Sequence, residues 1–356
     1  MASKKIQILI ISILLNFFLL SCGGDDSEPI TPNPNPTPTK EYKSWVVGDT
    51  SDVVVSGVLG GTVLAGGGLE PDEPMKWMLE RAKGGDVVVI RIGSGEDGYN
   101  NYFFKDLRVS VNSVETILLN SKKVAENTDV NRKVRNAECL FFTGGDQSIY
   151  FKYIDGTPLE ESINYLKNVK KVTVGGNSAG CAIQGEYFFS AENLGETNLQ
   201  SADALNNPFD SRITIRKDFM SSPFLGNLIT DTHYDNPDRK GRHIVFLARM
   251  IKDFSVNTPK GIGIEENTVV CIDENGVAKV FGSASAYFII ATNSSIEVLE
   301  NGKSLTWSQE DKALKVYEIK GNRQGDSFFD MANWTEGQGG VWKYFSVKEG
   351  VLKILN

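Results

Sequence analysis

The sequence predicts an α/β protein built on a parallel sheet with helices on both faces. Three observations lead there. From about Lys43 onward, apolar strand-like runs alternate with helical patterns, the sequence form of repeated βα units. Three strand ends are rich in glycine, at Gly66 to Gly68, Gly144 to Gly145 and Gly175 to Gly180, and ligands on such sheets bind beyond the carboxyl ends of the strands. The composition is 40% hydrophobic with 35 glycines, which suits a globular chain with many turns.

The N-terminus stands apart from that pattern. Lys4 and Lys5 precede the apolar run "IQILIISILLNFFLL", followed by Ser21 and Cys22. A basic flank, a short apolar core and a small residue before the cut read as a secretory signal over residues 1–21. "LLSC" resembles a bacterial lipobox, which would make Cys22 the lipidated first residue of the mature protein. "CGGDDSE" resembles the acidic signal of surface-exposed bacterial lipoproteins. The expectation is an outer-membrane lipoprotein, held to the membrane by its N-terminal lipid and exposed at the cell surface. In residues 22–42, "SEPITPNPNPTPTK" favours polyproline II, a semi-rigid spacer of roughly 3 Å per residue.

The folded part, residues 43–356, opens with the strand "GTVLAGGG" and the helix "PDEPMKWMLERAKGG", whose Met75, Met78 and Leu79 share one face. "DVVVIRIGSG" is the next strand. A helix near "NYFFKDL", a strand at "VETILLN" and a helix toward "NRKVRNA" follow. Then come the strand "ECLFFTGGDQ", the helix "PLEESINYLKNV" and the strand that begins "KKVTV". After Gly282, "SIEVLENGKSLTW", "KALKVYEIK" and "GVWKYFSVKEGVLKIL" read as short strands between glycine and asparagine turns. They are expected to form a β extension of the same domain.

Several function classes drop out. With 37 basic and 45 acidic residues the net charge is −8, a field that repels phosphate, so no nucleic-acid partner is expected. "GGGLEP" has Pro71 where a dinucleotide-binding loop needs its third glycine. Two histidines in the whole chain and no H-E-x-x-H leave little material for a metal centre. No cofactor is expected. Cys139, Cys181 and Cys271 are far apart with no C-x-x-C pair, which favours buried free thiols.

One stretch carries chemistry. In "VTVGGNSAGCA", Ser178 sits at a glycine-flanked strand-to-helix turn, the G-x-S-x-G elbow that exposes a hydroxyl beside helix N-terminal N–H groups. A serine nucleophile needs a base, normally histidine. His243 opens an apolar helical run and reads as structural, whereas His233 ends an apolar segment where a polar loop begins. The imidazole then needs a carboxylate. Glu265 and Glu266 lie at the end of the apolar run in "KGIGIEENTVVCID"; Asp231, two residues before His233, is a rival that would face the other way.

"FFTGGDQ", "GGNSAG", "DTHYDNPDRKGR" and "GIGIEENT" occur in the order and approximate spacing seen in cyanophycinases. The chain therefore resembles the cyanophycinase and aspartyl dipeptidase-like serine peptidases, which have a class I glutamine amidotransferase-like fold. That resemblance spans about Thr62 to Asp330. It implies a three-layer sandwich around a parallel sheet, with Ser178 as nucleophile, His233 as base and Glu266 as the orienting acid. It also implies that Gly145 and Ala179 donate their N–H groups to an oxyanion, and that Asp146, Gln147, Asp231, Thr232, Arg239 and Arg242 serve the substrate. Pro237 falls where the family has a further arginine, and Thr232 where it has a glutamine. The activity implied is hydrolysis of aspartyl or β-aspartyl peptide bonds, on a peptide or an aspartyl polymer, with a homodimer as one possible assembly. A non-catalytic protein that binds acidic peptides, or an esterase, would use the same residues.

Overall fold

The computed structural model describes residues 41–356 apart from 96–97 and 196. The expected export signal, Cys22 and most of the proline-rich spacer lie outside the described residues. Among those described, no helix is long and apolar enough to cross a membrane.

In chain order the strands are β1 (Ser44–Gly48), β2 (Gly61–Ala65), β3 (Asp86–Arg91), β4 (Ser113–Leu118), β5 (Cys139–Phe142) and β6 (Thr173–Asn177). Next come β7 (Tyr187–Phe189), β8 (Ile215–Lys217), β9 (Leu228–Asp231), β10 (Lys260–Ile264), β11 (Thr268–Asp273) and β12 (Val277–Gly282). The last are β13 (Ser285–Ala291), β14 (Leu314–Lys320), β15 (Phe328–Asp330), β16 (Gly337–Gln338), β17 (Val341–Lys348) and β18 (Val351–Leu355). One sheet has the order β1-β4-β3-β5-β6-β2-β11-β12-β15-β16 and the other β18-β17-β14-β13-β10-β9-β7-β8.

The centre of the first sheet is parallel: β4, β3, β5, β6 and β2 all run the same way. Their runs are apolar on both faces because helices cover both. Those helices include α1 (Asp72–Arg81), α2 (Thr128–Asn136), α3 (Gln147–Ile154) and α4 (Pro158–Tyr165). Val87, Val89 and Phe141 pack on Met75, Met78 and Leu79 of α1. Val88, Ile90 and Leu140 alternate to the opposite face, against Val130 and Val134 of α2 and Ile163 of α4. Each such side chain, fully buried, contributes about 1.5–3 kcal/mol.

The sheet is mixed rather than wholly parallel. β1 joins β4 antiparallel at one edge, and β11, β12, β15 and β16 continue the other edge antiparallel. The link from β11 to β12 is too short for a crossover, so the two must pair as a hairpin. Of the C-terminal strands, expected as a β extension of the same domain, β13, β14, β17 and β18 lie in the second sheet, and β15 and β16 edge the first.

The two sheets pack together through Leu64, Val270 and Val280 on one side and Ile262, Ile264 and Phe288 on the other. Two further helices are α5 (Ala179–Ala182), which follows β6, and α6 (Lys240–Phe254), whose Val245 and Phe246 cover the second sheet. Thr230 Oγ1 on β9 donates to the carbonyls of Cys181 (3.0 Å) and Ala182 (3.1 Å). That contact ties the end of the second sheet under α5. Loops leaving β2 and β6 therefore meet loops leaving β9 and β10.

Candidate active site

The β6 strand stops abruptly at Asn177, and the chain turns into α5 through Ser178, whose backbone has φ 51° and ψ −111°. A non-glycine residue held there is strained and persists only when its surroundings fix it. They do so from two sides. The Ser178 N–H donates to Ala65 O at 2.9 Å, anchoring the turn to β2. Asn177 Nδ2 donates to Glu70 Oε1 at 2.6 Å, and the Tyr99 hydroxyl reaches the same oxygen. Close approach also demands the flanking glycines: a Cβ on Gly176 would lie 2.3 Å from Gly180 O, and one on Gly180 2.4 Å from Phe142 O.

His233 leaves β9 with φ 48°, and its N–H donates to Gly66 O at 2.7 Å. Its ring lies directly over Gly67, where a Cβ would be 2.3 Å from the imidazole Cε1. Gly67 itself has φ +112°, a conformation side chains rarely adopt. The glycine triplet after β2 is thus the floor under the imidazole. Sequence reasoning registered it as a glycine-rich strand end and rejected it as a dinucleotide-binding loop.

Ser178 Oγ and His233 Nε2 are 2.7 Å apart, and His233 Nδ1 and Glu266 Oε1 are 2.6 Å apart. Glu266 lies in the turn between β10 and β11. Its N–H donates to Asp235 Oδ1 at 3.1 Å, and its Oε2 accepts from Asn236 Nδ2 at 3.3 Å. The hydrogen bond to His233, then Asn236 and the Arg239 cation, hold its carboxyl below the usual range against the opposing effect of burial. It stays a carboxylate. Glu265 is committed elsewhere, accepting from Ser285 N (2.9 Å) and the Tyr287 hydroxyl (2.7 Å). Asp235 and Asn236 were missed in the sequence, although both lie in the loop that follows His233.

Ala179 opens α5, so its N–H has no intrahelical acceptor. Gly145 is exposed beyond the end of β5, with φ +138°, and a Cβ on the adjoining Gly144 would be 3.4 Å from Ser178 Cβ. The two expected oxyanion residues therefore belong to the two strand ends that flank the serine. Asp146 is exposed and caps α3 by accepting from Ser148 N at 2.9 Å. Gln147 is half-buried, and its Nε2 donates to Phe189 O at 2.9 Å.

Asp231 and Arg242, expected to serve the substrate, are turned toward each other. The Asp231 carboxylate accepts two bonds from Arg242, at 2.9 Å from Nε and 2.5 Å from Nη2, and both side chains are 3% exposed. Burial alone would raise the Asp231 carboxyl, but the guanidinium fork holds it below its ordinary value. The pair is a buried internal support beneath the loop. Thr232 is also buried, and its carbonyl accepts from Arg239 Nη1 at 3.0 Å.

Arg239 is different. It is half-buried, its Nε has no hydrogen-bond partner, and no ion pair involves it among the described residues. Burial and the neighbouring Arg242 cation depress its pKa. An underused guanidinium beside Glu266 and His233 has donors to spare for a carboxylate. Arg239→Gln should raise KM for acidic substrates about tenfold or more while leaving the melting temperature nearly unchanged. Arg242→Gln should do the reverse, since removing one partner of a buried ion pair costs about 3–5 kcal/mol. Steady-state kinetics and thermal melts on both variants check the split.

His243 lies within α6 and is fully buried, with Nδ1 3.1 Å from the Tyr234 hydroxyl and Nε2 3.2 Å from Ile229 O. Burial pushes its pKa down from 6.5 to about 4. The folded protein keeps it neutral, whereas the unfolded chain protonates it near pH 6.5. Its contribution is therefore present above that pH and is lost as pH falls toward 4. Urea unfolding should show roughly 3 kcal/mol lost across this window, at about 1.4 kcal/mol per pH unit. A flat pH dependence between 6.5 and 4 would contradict this.

Cys139, Cys181 and Cys271 are unpaired and fully buried. Burial, with Asp231 nearby, raises the Cys181 thiol far above its usual range, which removes it as a rival nucleophile. No cluster of histidine, cysteine or carboxylate side chains suited to a metal ion occurs among the described residues.

No protein-family model matches the chain. A cyanophycinase from Synechococcus elongatus is 27% identical over 238 residues, covering 64% of this chain and 68% of its own length. Another from Geminocystis herdmanii is 26% identical over 242 residues, covering 64% of this chain and 80% of its own. Among solved structures, a peptidase from an acI-B1 actinobacterium aligns with TM-score 0.44 and 18% identity, over 70% of this chain and 97% of its own. The chain is thus similar, over about two thirds of its length, to curated cyanophycinases.

Proposed function

We propose that the protein is a serine peptidase that hydrolyses aspartyl or β-aspartyl peptide bonds through an acyl-enzyme. The observation that carries this reading is the unbroken line from Ser178 Oγ through His233 to Glu266, at 2.7 and 2.6 Å. In this geometry His233 Nε2 takes the hydroxyl proton as Ser178 Oγ attacks the carbonyl carbon. Glu266 keeps the Nδ1–H tautomer in place and stabilises the imidazolium that forms. The N–H groups of Ala179 and Gly145 meet the developing oxyanion, each worth about 3 kcal/mol in the transition state. His233 then returns its proton to the leaving amine, and water repeats the sequence to release the acid. Arg239 binds a carboxylate of the substrate.

The relatives named cyanophycinase favour an aspartyl polymer or its fragments as the substrate class. With Arg242 withdrawn into the fold and Pro237 in place of an arginine, Arg239 is the loop's one free fork among the described residues. Short aspartyl peptides should therefore be better substrates than cyanophycin. Product analysis after incubation with cyanophycin and a panel of α- and β-aspartyl dipeptides tests this. Release of free amino acids from the dipeptides supports it, and cleavage of neutral esters alone contradicts it.

A lipid on Cys22, with the proline-rich segment as tether, would hold the enzyme at a membrane outside the cytoplasm. More than one acyl chain is needed for stable attachment. Wild-type protein should partition with membranes, whereas Cys22→Ser should be recovered in the soluble fraction. Equal recovery of both in membranes would remove the lipid.

A further inference from the structure

At the other end of the first sheet from Ser178, around the start of β2 and the end of β11, lies a partly open cavity of about 530 Å³. Leu59, Val172, Phe224 and Ile272 give it apolar walls. Lys167, on the π-helical turn that follows α4, also lines it and is 4% exposed. The Lys167 Nζ makes one hydrogen bond, to the neutral Gln184 Oε1 at 2.6 Å, and no ion pair involves it among the described residues.

A buried ammonium without a counter-charge is expensive, so such a group is paired, neutral or both. Burial does push this amine down, to about 7. The other charges of the wall do not supply the missing partner. Lys170 is engaged by Glu138 and by the Asn136 and Ala137 carbonyls. Glu274 is paired with Arg81, and Asp273 accepts the Asn275 and Val277 N–H groups of its own turn. Lys171 is exposed. What remains is the buried Lys167 amine, without a counter-charge, in a cavity whose wall is apolar at Leu59, Val172, Phe224 and Ile272.

We propose that this cavity binds a small organic carboxylate, its apolar body against Leu59, Val172, Phe224 and Ile272 and its charge paired with Lys167. Gln184 gives the site a route to the elbow. Its Nε2 donates to Gly180 O at 3.0 Å, two residues beyond Ser178. An occupant that draws Lys167 toward itself acts on the residue that braces α5.

Isothermal titration with hexanoate tests the site on wild type, Lys167→Met and Arg239→Gln, with hexanamide as the uncharged control. Hexanoate should bind wild type and Arg239→Gln alike and Lys167→Met at least tenfold more weakly, and hexanamide should bind at least tenfold more weakly than hexanoate. Absence of hexanoate binding to wild type at millimolar concentration overturns the proposal. Undiminished binding to Lys167→Met, or loss confined to Arg239→Gln, also overturns it. Should Lys167→Met fail to fold, acetylation of Lys167 by acetic anhydride at pH 7, read by peptide mass, decides on the wild-type protein. Hexanoate should slow it several-fold, and an unchanged rate overturns the proposal.

Discussion

Ser178→Ala is expected to abolish turnover of the best aspartyl peptide, by on the order of a millionfold, while the protein remains folded. Only one oxygen is removed, and that oxygen makes the new bond. The strained turn should survive, because it is fixed by the Ser178 N–H to Ala65 O and by Asn177 to Glu70, neither of which uses the hydroxyl. An unchanged melting temperature with lost activity is the expected pairing. Comparable turnover by mutant and wild type would mean that another group attacks the substrate.

Loss of the base should be nearly as damaging. His233→Ala is expected to lower kcat by about the same factor, since nucleophile and base act as a unit and their effects do not add. The Ser178→Ala, His233→Ala double variant should therefore be little worse than either single change. Glu266→Gln, which keeps the shape but loses the charge beside Nδ1, should cost less, on the order of 10⁴-fold. Rapid-quench and steady-state kinetics on the four proteins check the ranking. Full additivity of the serine and histidine losses would contradict a shared proton path.

Much of this was legible in the sequence for physical reasons. Buried parallel strands must be apolar on both faces, and "DVVVIRI" and "CLFF" have no other use. The elbow was legible because a backbone crossing itself at Gly176 and Gly180 tolerates no side chain. Scarcity helped as well: with two histidines in the chain, the one at a strand end stood out. What stayed hidden was long-range. Nothing local to "DTHYDNPDRKGR" distinguishes Arg242, which turns inward to Asp231, from Arg239, which does not. Their separation depends on where α6 begins and on which residues of its first turn face the second sheet. Strand pairing was equally out of reach. The sequence does not show that β9 and β10 belong to a second sheet and not to the sheet of β6, since register and partner are chosen by packing across the whole domain. The role of Gly67 under His233 joins residues far apart in the chain, and only the closed structure brings them together.

The most direct measurement is the site of covalent capture. A fluorophosphonate reacts with a serine only when a neighbouring base withdraws its proton and donors receive the new charge, so it reports the whole array at once. Incubated with wild-type protein, it should add one equivalent, mapped by peptide mass to the fragment containing Ser178. His233→Ala should block the addition, and a short aspartyl peptide should slow it. Labelling elsewhere, or the absence of labelling in a protein that still cleaves aspartyl peptides, would contradict Ser178 as the nucleophile.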